Sequence, residues 1–269
     1  MQKIVAVLND LVQADLVLGR AITLAHEQNA ALEILFVHEA PLFTIPDFFL
    51  SQKEKTNDSI DKEKIREEIS DRMARVGYEE AYALFVFVDD TADRVSAHAR
   101  EQENALIVSA YHKKVTEDLI GICHLPLLIL KNEREKNSDI VLPVELNEGT
   151  EKCIDFAKKL FGESHIRLIY DHHYLVDEET KRAQKASFEQ LKAKVHLDGD
   201  YIEEFAWNEA DFGEDYETIE QHLIEHIRKG RYDLTILCAQ KNNFLSNEAL
   251  VISLLHKLPT DFLVYRHLA

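Results

Sequence analysis

The sequence predicts an α/β fold that occurs twice along the chain, as two tandem doubly wound domains. Strand-like apolar runs alternate with segments whose apolar residues recur at helical spacing. The order of these segments in the first half returns in the second half, and 269 residues suffice for two domains of ordinary size. Alternating strands and helices favour right-handed crossovers and a parallel sheet with helices on both faces.

The first strand and the first helix are the clearest repeated elements. Residues Lys3–Asn9 form an apolar run that ends in a polar turn, and Asp139–Glu145 repeat it 136 residues later. Behind each strand, apolar residues follow the stripe of an amphipathic helix. The two stripes are Val17, Leu18, Ala21, Leu24 and Ala25 in the first half, and Cys153, Ile154, Ala157 and Leu160 in the second.

The later strands follow the same order in both halves. Each half is therefore expected to be a five-stranded parallel sheet, with domains at residues 1–132 and 138–269. The short polar connection favours an intramolecular pseudo-dimer, and a homodimer of whole chains is a further option. The predicted strand pairs are Leu32–His38 with Ile166–His172, Ala81–Val88 with Tyr201–Trp207, Leu106–Val108 with Leu234–Leu237, and Leu127–Lys131 with Phe262–Arg266.

Charge and composition argue against several classes of partner. With 49 Asp and Glu against 31 Lys and Arg, the formal charge is −18, which repels nucleic-acid phosphates and anionic lipid headgroups. No apolar run approaches the roughly 20 residues that span a bilayer, and the amino terminus has no signal-peptide pattern. The three cysteines are scattered and odd in number, which predicts free thiols and a cytoplasmic location.

The order of the elements and the sequences at the strand ends resemble the universal stress protein family, over essentially the whole chain in two passes. In that family the first strand ends in an Asp that lies against a bound nucleotide, and the matching positions here are Asn9 and Glu145. A turn into a helix follows the third strand, matched by Asp89–Thr91 and Gly213–Asp215. The resemblance implies two Rossmann-like domains of the adenine nucleotide alpha hydrolase-like type and a role in the stress response.

The loop after the fourth strand departs from the family pattern. Nucleotide-binding members carry a Gly-x-x-Gly loop and a later Gly-Ser/Thr there, because backbone N–H groups must approach the phosphates in conformations that favour glycine. The matching stretches are Ser109–Lys114 and Cys238–Asn243, and neither contains a glycine. The first half is also shorter between His112 and Pro126. We therefore expect degenerate nucleotide sites.

The second half retains candidate ligands for a nucleotide. The resemblance makes Glu145, Lys241, Asn242 and Ser246 the candidate residues for binding ATP or ADP. Ser246 could also cap the helix predicted at Glu248–Leu258, whose N-terminus favours negative charge. An ordinary N-cap in a solvated polar turn is the alternative, and we favour it.

Three other patterns could carry chemistry. His222–His226 match the H-x-x-E-H motif of inverted zincins, in which two histidines bind zinc beside a glutamate base. His172 and His173, with Asp171, could form a metal site at the carboxyl edge of the sheet, where ligands of open α/β sheets bind. His38 occupies the same place in the first half. Cys238 could be a redox-active thiol. In each case we favour the structural alternative: solvated helix residues, structural histidines and a buried inert thiol.

These observations predict a non-catalytic tandem universal stress protein that acts as a binding or regulatory module, through an unknown protein partner or small ligand. The second hypothesis is a protein that binds, or weakly hydrolyses, an adenine nucleotide through its second domain only. We assign no catalytic residue and no metal site, and we expect no cofactor apart from ATP or ADP under the second hypothesis. Neither nucleic acid nor a membrane is an expected partner.

Overall fold

The structure is a computed structural model. It describes residues 1–39, 61–102, 104–134, 136–171, 177–202, 215–239 and 247–266. These residues belong to two compact units, residues 1–125 and 126–269. Both units combine a mostly parallel sheet with flanking helices, which confirms the α/β class predicted from the sequence. The domain limits 1–132 and 138–269 stay a prediction.

Unit 1 contains four parallel strands in the order β3-β2-β1-β4. Strand β1 lies between β2 and β4, which accounts for its continuous apolar run, because a strand inside a parallel sheet is covered on both faces. The elements are β1 (Lys3–Leu8), α1 (Ala14–Gln28), β2 (Ala31–Glu39), α2 (Lys62–Arg75), β3 (Tyr82–Asp89), α3 (Thr91–Arg100), β4 (Ala105–Ala110) and α4 (Lys113–Ile122).

Unit 2 shows the corresponding order β8-β7-β6-β9, with β10 next to β9 and β5 next to β10. All of these pairs are parallel except β5 with β10. The elements are β5 (Leu127–Leu130), β6 (Asp139–Pro143), α5 (Glu148–Leu160), β7 (His165–Asp171), α6 (Glu178–Val195), β8 (Asp198–Ile202), α7 (Asp215–Gly230), β9 (Leu234–Ala239), α8 (Glu248–Lys257) and β10 (Asp261–Arg266).

Strand β5, which the sequence predicts at the end of the first half, has a strand of unit 2 as a neighbour. It pairs antiparallel with β10 in unit 2, with Leu128 opposite Leu263 and Ile129 opposite Phe262. All four residues of β5 are buried. A strand of four consecutive apolar residues has no alternation that would indicate its partner or its direction, so the sequence pattern could not distinguish the two arrangements.

The buried carboxylate of Asp261 fixes the chain that leaves β5. Its Oδ1 atom accepts hydrogen bonds from the backbone N–H groups of Lys131, at 2.8 Å, and Asn132, at 3.1 Å. The Lys131 ammonium donates to the carbonyl oxygens of Leu255 and Leu258, both at 2.6 Å, at the end of α8. Burial lowers the pKa of Lys131. These contacts anchor the beginning of the predicted inter-domain connection within unit 2.

The predicted apolar stripes of the first helix in each half form the helix–sheet cores. All five stripe residues of α1 are at most 2% exposed, and the four of α5 are at most 3% exposed. Burial of these side chains supplies the hydrophobic term that holds each helix on its sheet. Within the described ranges, no helix is both long and apolar enough to cross a membrane.

The expectation of three free thiols is wrong for two of the cysteines. Cys153 on α5 and Cys238 on β9 form a disulfide, with Cα atoms 6.0 Å apart. The two residues are 85 positions apart in the sequence, and only the packing of α5 against β9 brings them together. Cys123 is buried and takes no part in this disulfide.

Candidate functional site

The carboxyl ends of parallel strands form the edge where open α/β sheets bind ligands. In unit 1 this edge carries Asn9, which follows β1, and Glu39, which ends β2. The Asn9 amide donates to Thr91 Oγ1 at 2.6 Å, and the Thr91 backbone N–H donates to Glu39 Oε1 at 3.1 Å. Because Thr91 is fully buried, Asn9 and Glu39 serve to fix the start of α3.

Asp10 occupies the N–H donors ahead of α1. Its Oδ1 atom accepts from the backbone N–H groups of Val12, at 2.8 Å, and Gln13, at 3.0 Å. The other carboxylate oxygen lies 3.6 Å from His112 Nε2. A helix N-terminus attracts anions through such N–H groups. In unit 1 a carboxylate of the chain therefore occupies the turn before α1, whereas the N-cap residue Gln13 makes no side-chain cap to the helix itself.

The connection after β4 is too short to enclose a phosphate. Strand β4 ends at Ala110 and α4 begins at Lys113, whereas β9 and α8 in unit 2 are separated by residues 240–247. The His112 backbone N–H donates to Thr116 Oγ1 at 3.1 Å. The first half is therefore shorter because the connection between β4 and α4 is short, whereas the helix α4 itself is present.

The described edge of unit 1 does not fit a nucleotide. Its ionisable groups include the carboxylates of Asp10, Glu39, Asp89 and Asp90, which repel phosphate oxygens. The side chain of Asp90 is the N-cap of α3, where it accepts a hydrogen bond from the backbone N–H of Asp93. That the first half lacks a phosphate cradle stays a prediction.

Glu145, the first candidate residue of unit 2, follows β6 and is partly buried. Asn147 donates to Glu145 Oε2 at 3.4 Å and caps α5 by accepting from the N–H groups of Gly149, at 3.1 Å, and Thr150, at 3.2 Å. Thr150 Oγ1 also donates to the backbone carbonyl of Glu145. Two of the N–H donors at the start of α5 are therefore satisfied by a side chain of the chain itself.

The other three candidate residues, Lys241, Asn242 and Ser246, lie outside the described residues. The residue that caps α8 is Asn247, whose side chain accepts from the Ala249 backbone N–H at 3.0 Å. The expectation that Ser246 caps this helix is therefore wrong, because α8 begins at Glu248 and the cap is the residue directly before it.

Asp171, which the sequence suggested only as a partner of His172 and His173 in a metal site, ends β7 at the same edge. Both of its carboxylate oxygens are buried, and they find no hydrogen-bond partner among the described residues. Burial raises the pKa of Asp171 to about 7. The neighbouring Tyr170 is also affected: burial first, and then the nearby Tyr201, Glu145 and Asp171, raise its pKa to about 12.

The described edge of unit 2 supplies acceptors rather than the donors that a phosphate requires. Glu145 and Asp171 are carboxylates, and Asn147 already occupies the N–H groups of α5. This part of the edge does not fit the phosphates of a nucleotide. The sequence offered one signal for Asp171: it is a charged residue at the end of an otherwise apolar strand.

The H-x-x-E-H motif on α7 has a structural explanation. His226 Nε2 lies 3.3 Å from Asp200 Oδ2, and Arg167 Nε donates to the same oxygen at 2.7 Å. The bond from Arg167 holds the pKa of Asp200 below its ordinary value. Glu225 is exposed and lies 3.8 Å from Lys229. Within the described ranges, no group of three or more His, Cys, Asp or Glu side chains could hold a metal ion.

The histidines that end the matching strands remain without an assigned role. His38 is exposed on β2, and His172 lies outside the described residues. Cys238, considered as a redox-active or an inert thiol, is bonded to Cys153.

Comparison with known proteins identifies relatives in family and in fold. The sequence model of the universal stress protein family matches residues 1–131. A functionally unknown protein from Pseudomonas aeruginosa PAO1 is similar in structure, with a TM-score of 0.69 and 15% identity over 99% of this chain and 92% of that one. A universal stress protein from Archaeoglobus fulgidus DSM 4304 has a TM-score of 0.64 and 10% identity over 98% of both chains. No curated protein matches in sequence.

Proposed function

Because residues 1–131 belong to the universal stress protein family, we propose that this stress-response protein is a non-catalytic binding or regulatory module. Its two halves are tandem copies with degenerate nucleotide sites, and they act as an internal pseudo-dimer. It works through a protein partner or a small ligand other than a nucleotide.

The observation that carries the proposal is that side chains of the chain itself already occupy backbone N–H groups at both ligand edges. Asp10 occupies the N–H groups ahead of α1, and Asn147 occupies those of α5. A phosphate would have to displace these side chains, and in unit 1 it would also approach neighbouring carboxylates. Both effects reduce the net free energy of phosphate binding.

The acidic charge supports the choice of partner. At a formal charge of −18, the chain repels nucleic acids and anionic membranes, so we propose neither as a partner. A basic protein surface or a neutral or cationic small molecule is electrostatically compatible. Cytoplasm remains the proposed compartment, where dithiol reductants act on accessible disulfides.

Calorimetric titration of the whole chain with ATP, ADP and AMP at millimolar concentration tests the proposal. We expect no binding heat and no shift of the melting temperature, together with no release of inorganic phosphate. Saturable binding would favour the alternative, nucleotide binding through unit 2. In that case the variants Lys241→Ala and Ser246→Ala should weaken it, whereas Lys113→Ala in unit 1 should not.

A further inference from the structure

The Cys153–Cys238 disulfide joins two elements at the carboxyl edge of unit 2. Cys153 lies in the second turn of α5, and Cys238 is the last residue but one of β9. Both are buried, with 0% and 6% of their surface exposed. The bond therefore connects the helix that follows β6 to the strand that leads into residues 240–246.

Unit 1 shows that the fold does not require this bond. Ile4 on β1 pairs with Leu106 on β4, as Ile140 on β6 pairs with Leu234 on β9. This register places Ala110 of unit 1 at the position of Cys238. The helix stripes likewise place Val17 at the position of Cys153. Val17 and Ala110 are 1% and 4% exposed, so the same positions in unit 1 hold ordinary apolar side chains.

We propose that Cys153 and Cys238 are a reversible thiol–disulfide pair whose oxidation state sets the stability of the unit 2 edge. The oxidant is a low-molecular-weight disulfide. The thiolate of Cys238, the more exposed of the two, attacks one sulfur of the oxidant and releases one thiol. The thiolate of Cys153 then displaces the second thiol. Two protein thiols become one disulfide, and the oxidant becomes two thiols; a dithiol reductant reverses the exchange.

An aromatic pair stands beside the disulfide and limits access to it. Phe156 lies one turn after Cys153 on α5, and Tyr265 is the β10 partner of Cys238 in the strand register. The two ring centroids are 4.6 Å apart. A reagent must displace these rings or wait for local opening of the edge. Exchange is therefore expected to be slower than for an exposed cysteine pair.

The sequence separation gives the bond a large effect on unfolding. Closing a loop of 85 residues removes much of the conformational entropy of the unfolded chain, and for a unit of this size it raises the melting temperature by about 10 °C. The gain is expected in unit 2 alone, because Cys123 of unit 1 is not bonded to either residue.

The test compares the reduced and oxidised whole chain. The protein is reduced with dithiothreitol, the reductant is removed, and one half of the sample is treated with oxidised glutathione. Both halves are then unfolded and alkylated with N-ethylmaleimide, and the mass of the intact protein is measured by mass spectrometry. We expect three alkylated cysteines before oxidation and one after it. Oxidation should raise the melting temperature of unit 2 by about 10 °C. It should also slow amide hydrogen exchange in α5 and β9. Three alkylated cysteines after oxidation, or equal melting temperatures, overturn the proposal.

Two variants serve as matched controls. The double variant Cys153→Val with Cys238→Ala carries the residues that unit 1 has at these positions. Its melting temperature should equal that of the reduced wild type, and oxidised glutathione should not change it. Cys123→Ala should keep the full shift. A shift that persists in the double variant overturns the proposal. Phe156→Leu should speed reduction by dithiothreitol several-fold, and an unchanged rate contradicts the shielding step.

Discussion

His98 on α3 and Glu33 on β2 are joined by a 2.8 Å contact between Nε2 and Oε2. Glu33 also faces the ammonium of Lys3 at 2.5 Å, and all three side chains are largely buried. In unit 2 the matching β7 position holds Arg167, whose partner Asp200 also contacts His226. Both units therefore place a carboxylate between a basic side chain and a histidine of the third helix, although the carboxylate lies on β2 in unit 1 and on β8 in unit 2.

Glu33→Gln tests the importance of this network. The change keeps the size of the side chain but removes the charge that faces Lys3 and His98. We expect the free energy of unfolding of unit 1 to fall by about 1–3 kcal/mol, measured by hydrogen exchange of the β1 and β2 amides. Glu63→Gln, in an exposed pair with Arg66, should cost less than about 0.5 kcal/mol. Equal effects would contradict the network.

Asp171→Asn should change the pH dependence of stability. Burial raises the pKa of Asp171 to about 7, above the value of an exposed Asp, so the folded protein binds a proton that the unfolded chain has lost. The contribution of the protonated Asp171 to the free energy of unfolding is therefore fully present below about pH 4. It is lost as the pH rises to about 7. The variant should avoid this loss and gain up to about 4 kcal/mol at pH 8.

The measurement for this variant is denaturant unfolding at pH 4 and pH 8. At pH 4 the variant and the wild type should differ little, because this pH is close to the pKa of Asp171 in the unfolded chain, 3.8, and the loss of stability has barely begun. Asp155→Asn, on the exposed face of α5, serves as the control and should show no gain at either pH. A gain of equal size at both values would exclude the buried carboxyl as its cause.

Gly199→Ala should destabilise unit 2, because an added Cβ would lie 2.8 Å from both the carbonyl oxygen of Leu168 and the ring of Phe188. The backbone of β7 cannot move away without disturbing the sheet, so we expect a loss of about 1–3 kcal/mol. Gly19→Ala in α1 meets no atom within 4 Å and should stabilise its helix by about 0.5–1 kcal/mol. Thermal unfolding should therefore show a lower melting temperature for Gly199→Ala and a higher one for Gly19→Ala.

Asp261→Ala should release β5 from β10. The change leaves the backbone N–H groups of Lys131 and Asn132 without their buried acceptor, which costs about 1–3 kcal/mol for each group that stays dry. Amide exchange over residues 127–132 should accelerate at least tenfold, a loss of protection of about 1.4 kcal/mol. Asp198→Ala, at an exposed position on β8, should leave exchange there unchanged; if it does not, the effect is not specific to Asp261.

Local pattern predicted the parts of the fold that depend on periodicity. The stripe from Val17 to Ala25 predicted α1, and the run of Lys3–Asn9 predicted β1, because burial of one helix face or of a whole inner strand leaves its period in the sequence. The helix predicted at Glu248–Leu258 was observed at Glu248–Lys257. The alternation of strands and helices along the chain was then sufficient to predict the α/β class.

Features that depend on contacts between distant residues left no such signal. The sulfur atoms of Cys153 and Cys238 meet only after α5 has packed on β9, and the four apolar residues of β5 are equally suited to a parallel or an antiparallel neighbour. The turn that Asp10 forms before α1 is more accessible to sequence reasoning, since an Asp that accepts from backbone N–H groups two and three residues later is a common local pattern.

The placement of β5 has a consequence for how such a chain can be divided or inherited. By sequence, residues 127–130 end the first half, yet as β5 they also pair with β10 of unit 2. A gene cut directly after residue 130 would leave the remaining protein without the strand that covers β10, and would expose that edge to pairing with other chains. A fragment that keeps β10 covered therefore has to begin before β5, ahead of the polar connection that the sequence marks.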